Sequence, residues 1–126
     1  MIVCWRTVRV PPDRREQFQA WIHEHADVRR RHGILLELVL ERSSRQNPAK
    51  AAQPEGAVVD EDELVVMTAW PDHDTFDAWI GTPDRDRLTA SSTHEAVEFR
   101  PLTRYDVVGG YGADALTTID PTGGRS

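Results

Sequence analysis

Two residues stand where a soluble protein ordinarily places apolar groups. Arg6 falls on the same face of an alternating stretch as Ile2, Cys4, Val8 and Val10, and a charge there has to be paired or put to use. A guanidinium in that position can hold an anion through two parallel hydrogen bonds, or it can pair with a buried Asp or Glu. His25 shares a helical stripe with Phe18, Trp21, Ile22, Val28 and His32. Its unperturbed pKa of about 6.5 suits a general base, although a histidine on an apolar stripe can equally be a satisfied core residue. Trp21, Phe76 and Trp79 could wall a pocket or simply fill a core, and Tyr105 could donate to a bound oxygen or pack. Cys4 reads as a small buried apolar group. His73 lies in the first turn of a predicted helix and is expected to be exposed, and His94 sits in a polar stretch without an assigned role.

The elements that must position these residues are organised around Glu63–Ile80, ELVVMTAWPDHDTFDAWI, read as a strand running into a helix. Val65, Val66 and Met67 suit a strand, Pro71 disfavours a helical Trp70, and Asp72 is a good N-cap. Phe76, Trp79 and Ile80 then recur at helical spacing. Before this, Met1–Val10 alternates as a strand stopped by Pro11 and Pro12. Asp13–His32 is a predicted helix, with Arg29, Arg30 and Arg31 complementing its negative end and Gly33 following it. Ile34–Arg42, ILLELVLER, is a second strand, with Leu36, Leu38 and Leu40 on one face and Glu37 and Glu41 on an opposite, wetter one. Ser43–Asp62 is a long connection, a loop or a lid, from which Val58 and Val59 could extend the third strand backwards. Thr82-Pro83 restarts a helical turn, and Phe99–Val108 is the last strand.

The order β-α-β-β-α-β predicts an α+β, ferredoxin-like domain over residues 1–108: a four-stranded antiparallel sheet with the first and third strands in the middle and both helices on one face. Residues 109–126, rich in Gly, Thr and Asp, read as a flexible tail. Nothing in the chain covers the other sheet face, where Trp5 alone would gain roughly 2–3 kcal/mol on burial. A second copy packed sheet on sheet is therefore expected.

Composition excludes several classes. The 126 residues suffice for one domain, at 39% hydrophobic and 29% charged residues, and no apolar run approaches a membrane span. One cysteine rules out an internal disulfide and a cysteine-cluster metal site. A formal net charge of −6 argues against broad attraction to nucleic acid. The N-terminus begins as a strand without a cleavage signal, so a cytoplasmic location is expected.

TAWPDHDTFDAWIGTP resembles the signature of the antibiotic biosynthesis monooxygenase (ABM) family through Trp70, Asp72, Phe76, Trp79 and Pro83. VRVPPDRREQF and Gly33 extend the likeness over about residues 1–108, apart from the long connection. The resemblance implies a dimeric α+β barrel with a pocket between helices and sheet in each subunit. It also implies an oxygenase acting on a small hydrophobic aromatic or polyketide-like substrate with O2 and without flavin, haem or metal. Arg6 would then hold the substrate anion, His25 would act as base, and Trp21, Phe76, Trp79 and Tyr105 would bind the ring. Alternatives in the same pocket are a ligand-binding dimer without turnover and a polyketide cyclase or isomerase. One branch of the family degrades haem. Its first-strand Asn position falls at Arg6 and its iron-ligating His position at Leu88, so the resemblance disfavours that activity here.

Overall fold

The computed structural model describes residues 1–43, 45 and 61–112. The interior of the long connection, with Val58 and Val59, and most of the 109–126 tail lie outside the described residues.

Strand β1 (Ile2–Arg9) ends at the proline pair, and a single 3-10 turn over Pro12–Arg14 leads into α1 (Arg15–Glu24). The predicted single helix continues as α2 (Ala26–Arg31) after a break at His25, whose φ of −101° and ψ of 8° leave the helical region. A Schellman motif closes α2: Gly33 N–H donates to the Arg30 carbonyl and Ile34 N–H to the Arg29 carbonyl. Gly33 itself has φ +100°, and a Cβ there would stand 2.6 Å from Thr75 Cγ2, so only glycine fits. Strands β2 (Leu36–Glu41) and β3 (Glu63–Trp70) follow. The Asp72 carboxylate then accepts the Thr75 N–H at 2.7 Å and starts α3 (His73–Ile80). Thr82 caps α4 (Pro83–Thr89) in the same way, and α5 (Ser92–Glu95) is one further turn.

The expected last strand is divided in two. β4 (Glu98–Phe99) and β5 (Thr103–Asp106) both pair with the same edge of β1, Val8 opposite Phe99 and Val3 opposite Tyr105. Pro101, which has no N–H to give a ladder, lies between them. With β2 on β3 and β3 on β1, all antiparallel, the sheet has β1 and β3 at its centre, as the element order requires.

Register decides which side chains lie under the helices. Ile2, Cys4, Arg6 and Val8 stand opposite Trp70, Thr68, Val66 and Leu64. The core forms on this side, with Phe18, Trp21, Phe76 and Trp79 from the helices packed on Cys4, Val8, Leu64 and Trp70. On β2 the register reverses the expectation. Glu37 is opposite Thr68 and Glu41 opposite Leu64, so the glutamates face the helices, and Leu36, Leu38 and Leu40 face the bare side with Ala69, Met67 and Val65. Glu41 reaches Arg15 of α1. The glutamate face is therefore the covered one, and the leucines face a surface that no helix among the described residues occupies.

Candidate functional site

Between the helices and the covered sheet face lies a cavity of about 130 Å³. Its walls are aromatic and aliphatic: Trp21 from α1, Trp70 from the end of β3, Phe76 and Trp79 from α3, and Leu88 from α4. Trp70 is the keystone. Its ring meets Phe76 edge-on at 5.3 Å and lies beside Trp79 at 6.4 Å, and its Nε1–H donates to Thr68 Oγ1 at 3.1 Å.

Three guanidinium groups and one carboxylate open onto this apolar space: Arg6, Arg29, Arg85 and Glu37. Arg29, only 7% exposed, is spoken for. Its Nη1 donates to Glu37 Oε1 at 3.2 Å and to the Ile22 carbonyl at 3.1 Å, and its guanidinium lies over the Trp21 ring at 5.2 Å. Burial pushes the Glu37 carboxyl up against the pull of Arg29, and pushes Arg29 down. The Arg29–Arg31 run thus does more than complement a helix end, since its first member is a buried half of an ion pair.

Arg6 has no such partner. No ion pair or hydrogen bond of its side chain occurs among the described residues, and its guanidinium rests over the Phe99 ring at 5.5 Å. Burial first, and the positive charge of Arg85 second, lower its pKa. An arginine stays charged regardless, so this direction marks a cation held at an electrostatic disadvantage that a bound anion would relieve. Arg85 forms no ion pair among the described residues either, while its neighbours Asp84 and Arg87 pair with each other and Asp84 also meets His32 at 2.9 Å. A third donor is idle: the Trp21 Nε1–H is buried without a hydrogen-bond partner.

The other sequence-derived candidates fall in different places. Trp21, Phe76 and Trp79 wall the cavity. His25 is half-buried at the break between α1 and α2 with its ring on the edge of Trp21 at 6.0 Å, and it is not among the cavity-lining residues. Tyr105 lies on the other side of the sheet, 48% exposed and stacked on Trp5 at 6.4 Å, because β5 pairs Tyr105 with Val3 and not with a residue of the covered face. Cys4 is a free, buried thiol whose pKa burial raises, as suits a core group. His73 bridges α3 to β5 through Asp106 at 2.6 Å. His94 of α5 is the cavity residue with acid–base chemistry that the sequence left unassigned. Its ring stacks on Phe99 at 4.3 Å and approaches Trp21 at 5.8 Å. Arg85 and Arg29 were legible in principle. Arg85 is three residues before Leu88, and Arg29 is seven after Ile22, so both share the inward stripe.

No group of three or more His, Cys, Asp or Glu side chains placed to hold a metal ion occurs among the described residues. No helix among them is long and apolar enough to cross a membrane.

An antiparallel sheet in this strand order with helices on one face is the ferredoxin-like α+β architecture of the antibiotic biosynthesis monooxygenases, and the chain has that fold. A Deinococcus radiodurans protein provisionally classed as an antibiotic biosynthesis monooxygenase superposes with a TM-score of 0.62 at 15% identity, over 89% of this chain and 97% of that one. SnoaB, a cofactor-independent oxygenase from Streptomyces nogalater, gives 0.59 at 12% identity, over 87% and 95%. MhuD, a haem degrader from Mycobacterium tuberculosis with two haems bound in its active site, gives 0.62 at 17%, over 89% and 100%. No family model and no curated protein sequence matches the chain. At these identities the likeness establishes the fold and leaves the chemistry to the site itself.

Proposed function

We propose that the chain is an oxygenase that reacts O2 directly with the anion of a small hydrophobic aromatic or polyketide-like substrate. The observation that carries this reading is Arg6, a cation without an ion-pair partner among the described residues, in a wall of aromatic side chains. Such a site favours a phenolate or enolate over its neutral acid and keeps bulk water away from it. We assign the base to His94, whose ring lines the cavity, in preference to His25, which does not.

The chemistry needs no external reductant. For a naphthol, the base removes the hydroxyl proton, and the anion passes one electron to O2. The two radicals join as a C–O–O bond at the ring carbon para to the oxygen, and the peroxide takes up a proton. Loss of that carbon's own proton with cleavage of the O–O bond leaves a second C=O and hydroxide, which leaves as water. One oxygen atom enters the quinone and the four electrons come from the substrate.

We also propose that a second copy covers the bare sheet face. Leu38, Leu40 and Tyr105 are 39%, 41% and 48% exposed there, around the Trp5–Tyr105 stack, and a contiguous apolar face of this kind marks an interaction surface. Haem degradation is the reading we set aside. The wall does offer an imidazole, His94, but about 130 Å³ is well short of the roughly 300–1,000 Å³ of pockets for drug-sized ligands, which are smaller than haem.

The test is O2 uptake by purified protein given phenol or 1-naphthol, with quinone formation followed in parallel. Arg6→Gln and His94→Ala are expected to lower kcat/KM at least 10-fold each, and His25→Ala to leave it within about 2-fold. Equal rates in all three variants would remove these roles. Turnover of a polyketide-like substrate under anaerobic conditions would point to cyclisation, and binding without turnover to a ligand-binding dimer.

A further inference from the structure

The donors that line the cavity outnumber its acceptors in a way a single phenolate oxygen does not use up. Arg6 and Arg85 are two cations without an ion-pair partner among the described residues. The one carboxylate in the wall, Glu37, is already bound to Arg29. The imbalance sits inside a chain whose formal net charge is −6. Arg85 also breaks a local rule. It occupies the third position of α4, after the Thr82 cap, where the helix favours acidic residues, and its side chain nonetheless lies in the cavity wall.

We propose that the ligand of this cavity is a one-ring hydroxyaryl carboxylate, its ring against Trp21, Phe76 and Trp79, its ring oxygen toward Arg6 and its carboxylate toward Arg85. The inference rests on reading the cavity as the substrate site, and it deepens that reading by naming the substrate class. Size agrees with it: a cavity of about 130 Å³ is close to the roughly 150 Å³ known to hold one benzene ring. Charge agrees as well. A carboxylate and a developing phenolate together bring the two negative charges that Arg6 and Arg85 lack, and carboxylate is the group whose two oxygens match a guanidinium fork.

The experiment is calorimetric titration of the intact protein at pH 7 with three probes: 2-hydroxybenzoate, phenol, which has the ring without the carboxylate, and acetate, which has the carboxylate without the ring. The expected result is that 2-hydroxybenzoate binds at least 10-fold more tightly than either of the others. Arg85→Gln is expected to erase most of that preference, and Arg85→Lys, which keeps the charge, to retain part of it. Should Arg85→Gln not fold, raising the salt concentration on the unaltered protein must weaken 2-hydroxybenzoate more than phenol. Phenol binding as tightly as 2-hydroxybenzoate, or a preference that survives Arg85→Gln, overturns the proposal. The oxygenase reading fails separately. Tight 2-hydroxybenzoate binding with no O2 uptake from any hydroxyaryl compound upholds the ligand class and removes the reaction. Uptake from 1-naphthol with no carboxylate preference does the reverse.

Discussion

The sheet face beneath the helices carries Arg6, Glu37 and Glu41, whereas the face with no helix over it carries Val3, Trp5, Leu36, Leu38, Leu40 and Met67. The covered face is otherwise apolar, with Ile2, Cys4, Val8, Leu64 and Trp70 in the core, and a sheet folded for stability alone would keep these few charges in water and cover those leucines too. Each half of the inversion has its own explanation. On the reading proposed above, charge under the helices serves binding in a small, mostly apolar space: Arg29 and Glu37 neutralise each other, and Arg6 has no ion-pair partner among the described residues. Apolar surface on the bare side is what the proposed second copy would cover. The two faces are thus tests of two different claims, one about binding and one about assembly, and a substitution on one face should leave the other claim standing.

The largest effect is expected on the bare face. Leu38→Lys places a charge amid the exposed leucines without touching the cavity. If a second copy binds there, the dimer dissociation constant should rise by about 100-fold or more, equivalent to about 3 kcal/mol. Analytical ultracentrifugation decides it: the original chain should sediment near twice its 14.3 kDa and the variant near once. A monomeric original chain at micromolar concentration would end the assembly claim, and the cavity argument would survive.

On the covered face, Glu37→Gln strips the partner from a buried guanidinium and should destabilise the fold by about 3 kcal/mol. Replacing both partners together, Arg29→Met with Glu37→Leu, should recover most of that loss, since two buried charges that neutralise each other are worth little net. Urea midpoints of the original chain, Arg29→Met, Glu37→Leu and the double variant form the double-mutant cycle, with Glu37→Gln as the isosteric single. A Glu37→Gln variant as stable as the original would mean that the pair is solvated and the face is not the dry one described.

Much of this was legible in the sequence, for reasons that differ by residue. The strand, helix and turn boundaries are written in stop signals: Pro11 and Pro12, Gly33, Pro71 with Asp72, and Thr82 with Pro83. Arg6 was legible because it interrupts an apolar face. Arg29 and Arg85 were harder to read, because they stand in charged segments where only their phase relative to Ile22 and Leu88 sets them apart from solvated neighbours. Glu37 was placed on the wetter face, and Tyr105 was grouped with ring-binding residues that lie on the other side of the sheet, for one shared reason. Alternation tells which residues lie together, but only the register against β1 and β3 tells which side is covered. The break at His25 and the split of the last strand at Pro101 are tertiary choices. The first leaves His25 beside the cavity instead of in its lining.

A smaller effect is expected at the junction that aims β2. Gly33→Ala puts a Cβ within 2.6 Å of Thr75 Cγ2 in a left-handed backbone, so the strain alone should cost about 1–3 kcal/mol. Because Gly33 sets where β2 begins, the variant should also weaken ligand binding through the Arg29–Glu37 wall. Thermal unfolding and 2-hydroxybenzoate titration of the same sample separate the two. A variant with unchanged Tm would show that the turn relaxes freely and does not fix the position of Glu37.

The smallest effect belongs to the α3 cap, which touches neither face yet holds the helix that supplies Phe76 and Trp79. The hydrogen bonds from Thr75 keep the Asp72 carboxyl below the usual carboxylate range, so the folded chain binds that proton more weakly than the unfolded chain does. The cap's contribution is therefore complete above the ordinary carboxylate range and is lost as pH falls through the lower folded value. Asp72→Ala should lower Tm modestly at pH 7, and the gap to the original chain should close as the solution is acidified. Asp72→Asn, which keeps an oxygen acceptor without the titrating proton, should exceed Asp72→Ala in Tm by an amount that pH does not change, while its gap to the original chain also closes on acidification. Asp84 is also held low, by His32 and then Arg87, and it titrates alike in all three chains, so the difference curves isolate the cap. A gap between the original chain and Asp72→Ala that stays constant down to strongly acid pH would mean that the helix is held by the burial of Phe76 and Trp79, with the carboxylate contributing nothing.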